Sequence, residues 1–171
     1  MSVTKVIVVD ADKCYACLGC VVECAYRRAG AGPNVPLTSG VLRHAACDVV
    51  AVGTEPVPLV CNHCEDAPCI TVCPSGALHR EAEGGPVLLD AELCIGCRAC
   101  VMACPFGMIR LRAGSTSPAK CDLCIERAAE GLPPACVAAC PTKALELRDL
   151  DEVIAEARRR AAALLLQSRG D

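Results

Sequence analysis

The sequence predicts an α+β fold: short antiparallel strands and short helices repeated around cysteine loops, with one longer helix at the C-terminal end. Three observations predict it. Cysteine occurs 17 times in 171 residues, while the chain holds one Phe, two Tyr and no Trp. All but one of these cysteines fall into four groups of four. Each group is followed by small residues and a short apolar stretch, usually after a proline, so one unit recurs along the chain.

Large aromatic side chains normally dominate core burial. Their scarcity means that something else fills the interior, and a cysteine-rich chain offers disulfides or metal. The start of the chain (Met1, Ser2, Val3, Thr4, Lys5) has neither the basic start and long apolar run of a signal peptide nor a twin-arginine signal. No run approaches the ~20 apolar residues that would span a bilayer. The expectation is a cytoplasmic protein with reduced thiols and no membrane span. A net charge of −3 and the lack of a long basic stripe argue against nucleic acid as a partner.

The elements follow in order. Residues 3–9 (Val3, Lys5, Val6, Ile7, Val8, Val9) read as a buried strand. Group one is Cys14, Cys17, Cys20 and Cys24, followed by Ala25. Residues 25–46 carry Gly30, Gly32, Pro33, Pro36 and Gly40 and read as loop. Cys47 stands alone and is expected to be a small buried hydrophobe. Residues 48–60 read as a strand pair broken by Gly53 and Pro56. Group two is Cys61, Cys64, Cys69 and Cys73, then Pro74. A turn at Gly84-Gly85-Pro86 leads through Val87-Leu88-Leu89 into group three: Cys94, Cys97, Cys100 and Cys104, then Pro105. Met108–Arg112 alternates like a strand. Group four is Cys121, Cys124, Cys136 and Cys140, then Pro141. Asp149 and Glu152 fit a capping box. Val153, Ala157, Ala161, Leu164 and Leu165 then recur at helical spacing over residues 151–166. This helix is expected to pack on the domain; the competing reading is a docking helix with Arg158 and Arg159 on its charged face.

Group three has the C-x2-C-x2-C-x3-C-P run that holds a [4Fe–4S] cubane. Four such groups supply ligands for four [4Fe–4S] clusters. The competing reading is four structural zinc sites, since C-x2-C pairs also suit zinc. In two-cluster proteins of this kind, adjacent runs exchange their fourth cysteine. Groups two and three are contiguous, which gives site C (Cys61, Cys64, Cys69, Cys104) and site D (Cys94, Cys97, Cys100, Cys73). Groups one and four then pair as site A (Cys14, Cys17, Cys20, Cys140) and site B (Cys121, Cys124, Cys136, Cys24). This nests one module within another and requires the chain ends to meet. The alternative pairs group one with two and three with four. Lys13 and Lys120 each precede a first cysteine, where a cation would favour the more negative cluster; the default is a solvated loop lysine. His63 is read either as a hydrogen-bond donor near a cluster or as a solvated loop histidine. The chain shows no catalytic triad, phosphate loop or open metal position, so an electron carrier is expected, not an enzyme.

The segments Cys61-Asn62-His63-Cys64-Glu65-Asp66-Ala67-Pro68-Cys69, Cys94 to Pro105, Lys120-Cys121-Asp122-Leu123-Cys124 and Pro134 to Thr142 resemble the four-cluster ferredoxin subunits of the dimethyl sulfoxide reductase iron–sulfur family. The resemblance covers residues 3–147. It implies two nested bacterial-type 2×[4Fe–4S] ferredoxin modules and supports the nested pairing. The corresponding division is 1–60 (first half-module with a loop insertion), 61–112 (inner module), 113–148 (second half-module, closing on 1–24) and 149–171 (C-terminal helix and tail). Family members serve molybdenum or tungsten oxidoreductases, formate dehydrogenases, hydrogenases and carbon monoxide dehydrogenases. The chain is similar to the small iron–sulfur subunits of tungsten aldehyde oxidoreductase systems. The resemblance thus implies a catalytic oxidoreductase subunit as partner and a flavin or ferredoxin-type partner beyond it. Ala25 and Cys47 depart from the family pattern. Competing functions are a free-standing polyferredoxin, a zinc-bound interaction module, or an enzyme with an open iron.

Overall fold

The computed structural model describes residues 5–112 and 114–167. Val3 of the first expected strand, the rest of residues 1–4 and the tail 168–171 lie outside the described residues. The elements are β1 (Lys5–Val9), α1 (Gly19–Ala29), β2 (Asp48–Val52), β3 (Glu55–Leu59), α2 (Pro68–Thr71), β4 (Leu78–His79), β5 (Leu88–Leu89), α3 (Ala99–Ala103), α4 (Ile125–Ala129), α5 (Ala135–Ala138), β6 (Leu145–Asp149) and α6 (Leu150–Gln167). The architecture is α+β: helices and three separate two-stranded antiparallel sheets among the described residues.

The chain ends meet. β1 pairs with β6 from Lys5↔Asp149 to Val9↔Leu145, and the Asp10 N–H donates to the Ala144 carbonyl at 2.9 Å. Group one therefore lies beside group four, and α1 packs on α5. β4 pairs with β5 over only two residues each, between groups two and three.

Proline decides how long each cysteine helix runs. Pro74, Pro105 and Pro141 follow the fourth cysteines, and α2, α3 and α5 are four or five residues long. Ala25 imposes no such stop, so α1 runs on to Ala29 for eleven residues. It ends at Gly30 (φ 60°), with Gly30 N–H donating to Arg27 O and Ala31 N–H to Tyr26 O, a Schellman closure. Residues 25–29 are therefore helix and not loop. The rest of that stretch holds 3-10 turns at Leu37–Ser39 and Val41–His44.

Three further expectations are corrected. Pro56 does not break the second strand; Pro56 and Pro58 both lie in β3, paired with Ala51 and Val49. A two-stranded ribbon has a free edge, where a missing N–H costs no ladder bond. Met108–Arg112 forms no strand but one bridge, Arg110↔Ala119, because Pro118 and Gly114 cut its partner short. The last helix scarcely packs. Asp149 caps it by accepting the Asp151 N–H at 2.9 Å, Arg148 pairs with Glu156 at 2.7 Å, and Val153 is partly buried. Ala157, Ala161, Leu164 and Leu165 are exposed.

The interior is built on sulfur. One core cluster gathers Cys20, Cys24, Cys47 and Cys136 with Ala46, Val60 and Leu145. The other gathers Cys100 with Ala67, Leu78, Val87 and Ile109.

Candidate metal centres

None of the 17 cysteines is in a disulfide. Cys14, Cys17, Cys20 and Cys140 line one small cavity, with Leu18, Val49, Pro58 and Leu145 as apolar wall. Cys61, Cys64, Cys69 and Cys104 line a second, walled by Ala67, Val87, Phe106 and Ile109. Each cavity draws three thiols from one group and the fourth from another. At the expected site B, Cys24 and Cys136 are buried together with Cys121 packed on them. Burial pushes the Cys124 thiol up and the Cys136 charge adds to this, so Cys124 stands by the same set. At the expected site D, burial raises Cys100, and the charges of Cys73 and Cys94 add to it. Cys97 is exposed on the outer side of that loop.

The loops themselves are wound tightly. Ala16, Leu18, His63, Arg98, Leu123 and Cys124 all have positive φ although none is glycine. Such residues cost on the order of 1–3 kcal/mol each and persist only where the surroundings impose them. Backbone donors reach sulfur: Ala46 N–H to Cys24 at 3.3 Å, Met108 N–H to Cys104 at 3.4 Å and Leu123 N–H to Cys121 at 3.4 Å. Thiol walls, backbone donors and apolar surround fit a metal–sulfur anion.

Cys47 is a buried thiol, as its isolation in the sequence suggests. Its Sγ donates to the Cys20 carbonyl at 3.4 Å. Hydrogen bonding to Cys136, Cys20 and Cys24 holds its own proton on, so its pKa is raised. The same contact lowers Cys24 to about 6, helped by the Ala46 N–H and Arg28. Cys47 thus sits between ligands expected for sites A and B.

Charge is distributed unevenly. Lys13 is exposed and paired with Asp10 at 2.9 Å. Arg27 meets Asp122 at 2.5 Å and Glu126 at 3.4 Å, and Arg28 meets Asp122 at 3.4 Å. Burial pushes the Asp122 carboxyl up, but Arg27, the Cys124 N–H and Arg28 together hold it below the usual range. Lys120 departs from the solvated-lysine default: it is 3 % exposed. His63 is not solvated either. Its Nδ1 accepts the Val87 N–H at 3.0 Å, and its Nε2 is shut off from solvent without a protein partner. Burial, then the charges of Lys120 and Arg80, depress its pKa to about 3, so the ring is neutral. Arg80 clamps this loop, donating to the carbonyls of His63, Cys64 and Gly85.

The model of a 4Fe-4S dicluster domain matches residues 52–150. The protein belongs to this iron–sulfur family. An "Iron-sulfur protein" of Rhodospirillum rubrum is 38% identical over 174 residues, covering 92% of this sequence and 90% of that one. The "Probable anaerobic dimethyl sulfoxide reductase chain YnfG" of Escherichia coli K12 is 37% identical over 153 residues, 85% of this sequence and 73% of its own. The "Putative electron transport protein YsaA" of the same strain is 37% identical over 157 residues, 87% of this sequence and 92% of its own. The protein is thus a member of the dimethyl sulfoxide reductase iron–sulfur subunit family: a non-catalytic electron-transfer subunit that uses 4Fe–4S chemistry. Among the described residues, no helix is long and apolar enough to cross a membrane.

Proposed function

We propose that the sixteen grouped cysteines hold four [4Fe–4S] clusters in the nested arrangement, sites A to D. The subunit passes single electrons along them between a catalytic oxidoreductase subunit and a second redox partner of flavin or ferredoxin type. The observation that carries this is the pair of cavities, each ringed by four thiols drawn from two different groups. The clusters, when bound, supply the one-electron carriers. Everything else is the work of the polypeptide: thiolates that bind, N–H groups that face the sulfur, and apolar walls that keep water out. The thiols stand around a space, an arrangement that favours a cluster over zinc.

Contacts support the order A–B–C–D. Cys47 touches ligands of A and B. Lys120 touches Cys61 of C and the Cys121 carbonyl of B. The ligands of C and D share one apolar core. The two ends are the open ones: of the sixteen grouped cysteines, Cys17 and Cys97 are exposed. Exposed Tyr15 and Leu18 rim the first, and Leu93, Ile95 and Met102 rim the second. The partners seat on these rims. Likeness to the dimethyl sulfoxide reductase component YnfG supports a molybdenum or tungsten enzyme as the catalytic partner. Formate dehydrogenase, aldehyde oxidoreductase, carbon monoxide dehydrogenase and hydrogenase are the other candidates. The cytoplasm, with its reduced thiols, is the compartment that suits this chemistry. The proposed division is an inner module at 61–112, an outer one joining 1–60 to 113–148, and a helical appendage from 149 onward.

Anaerobic purification from the native source, with iron, sulfide and zinc analysis, tests this reading. About sixteen irons and sixteen sulfides per polypeptide are expected from four clusters of this type. Co-purification with a catalytic subunit at fixed stoichiometry is expected too. A colourless zinc protein would overturn the reading, and brown protein that travels alone would turn it toward a free polyferredoxin.

A further inference from the structure

The cavity ringed by Cys61, Cys64, Cys69 and Cys104 is also lined by three polar side chains, Asn62, His63 and Lys120, and the last two share Val87 as a partner. An ammonium has three hydrogens to give. Those of Lys120 go to the Val87 carbonyl at 2.6 Å, the Cys121 carbonyl at 2.8 Å and Cys61 Sγ at 3.7 Å. No carboxylate stands within ion-pair distance of it among the described residues, unlike Lys13, Arg27 and Arg28. A buried cation without a counter-ion is strongly unfavourable, so the charge needs an anion at this place. The thiolate wall of the cavity is where its third hydrogen points.

His63 lines the same cavity and is held by the same residue, Val87. Because Nδ1 accepts the Val87 N–H, the ring proton of the neutral imidazole sits on Nε2. That N–H is buried and finds no protein acceptor. Val87, 1 % exposed, thus orients both donors, through its N–H for one and its carbonyl for the other. Nothing comparable faces the cavity of Cys14, Cys17, Cys20 and Cys140, whose polar lining beyond the thiols is Tyr15 and Thr142.

Resting on the four-cluster reading, we propose that His63 and Lys120 are positioning residues of site C. They give its cluster the highest reduction potential of the four, so an electron on the subunit resides there in preference to A, B or D. A fixed cation and an N–H donor both favour the more negative state of the cluster they face. The other cations near sites A and B, Lys13, Arg27 and Arg28, are matched by Asp10, Asp122 and Glu126, and Lys120 meets site B through a carbonyl and site C through a thiol.

The test is a redox titration of the intact, iron-loaded protein followed by electron paramagnetic resonance. In Lys120→Met and in His63→Leu, the highest of four midpoints is expected to fall, further in the double variant. Lys120→Arg should restore part of the shift. Should the variants fail to load iron, wild-type protein labelled with 15N-histidine keeps the question open to measurement. Pulsed resonance should then show a histidine nitrogen and an exchangeable proton coupled to the first cluster that takes up an electron. Unmoved midpoints in loaded variants, or no histidine coupling to that cluster, overturns the assignment. Fewer than four clusters in wild-type protein instead removes the reading on which it rests.

Discussion

The proposed inner and outer modules solve one problem with unequal bracing. The inner one, from Cys61 to Arg112, is one continuous stretch of sequence. Its sheet is two residues per strand, its helices have four and five residues, and no ion pair joins residues within 61–109 among the described residues. The outer one joins the two ends of the chain. It has a five-residue strand pair, an eleven-residue helix and the Arg27/Arg28–Asp122 network. Loop closure alone does not demand this, since doubling a loop adds only about 0.6 kcal/mol. The outer halves have no direct connection to fix their register, and the strand pair and network supply it. Ion pairs brace the module whose backbone gives no continuity, while in the continuous one Arg80 and His63 bond to backbone groups instead.

Removing the metal should produce the largest effect and expose the difference most directly. Iron chelation is expected to unfold the protein, because cysteines occupy both cores. Far-UV circular dichroism should lose the inner elements completely while part of the α1 and β1–β6 signal survives; a native spectrum after chelation would contradict this. Next, Ala25→Pro gives group one the ending of the other three. A proline inside α1 costs about 3 kcal/mol. The urea midpoint for bleaching of the visible absorption should drop, with iron lost first from the outer pair of sites. Asp122→Asn leaves Arg28 without its anion and Arg27 with only the exposed Glu126, at a cost of about 2 kcal/mol by the worth of charged hydrogen bonds. Its bleaching should be biphasic, the inner sites outlasting the outer; a single unshifted transition would show that the network does not brace this module. The smallest change is Cys47→Ala, at about 1 kcal/mol for a lost thiol contact. Iron content is expected to stay the same, and loss of one cluster's worth would make Cys47 a ligand.

Much of this was legible in the residues. The four groups, the strand pair at 48–60 and the Asp149 cap follow from spacing and local chemistry, which the chain obeys. The nested pairing is the expectation of one rule about shared ligands. Ala25 carried a readable signal that went unused: where proline is missing, the helix continues. What the sequence hides is tertiary. Lys120 and His63 look like solvated loop residues because their partner is the backbone of Val87, 33 and 24 residues away, and no side-chain pattern announces a backbone partner. Met108–Arg112 has the alternation of a strand but too short a neighbour to pair with. The apolar spacing of α6 is real, yet Ala157, Ala161 and Leu164 on that face are exposed.

The pairing of β1 with β6 also sets a schedule for the newborn polypeptide. Cys14, Cys17 and Cys20 leave the ribosome early, but Cys140, which lines the same cavity, is made about 120 residues later, roughly 6–25 s at ordinary synthesis rates. Groups two and three are complete well before then. On the proposed pairing, the inner sites can be filled during translation, while the earliest thiols wait, reduced and unguarded, for the last strand to arrive.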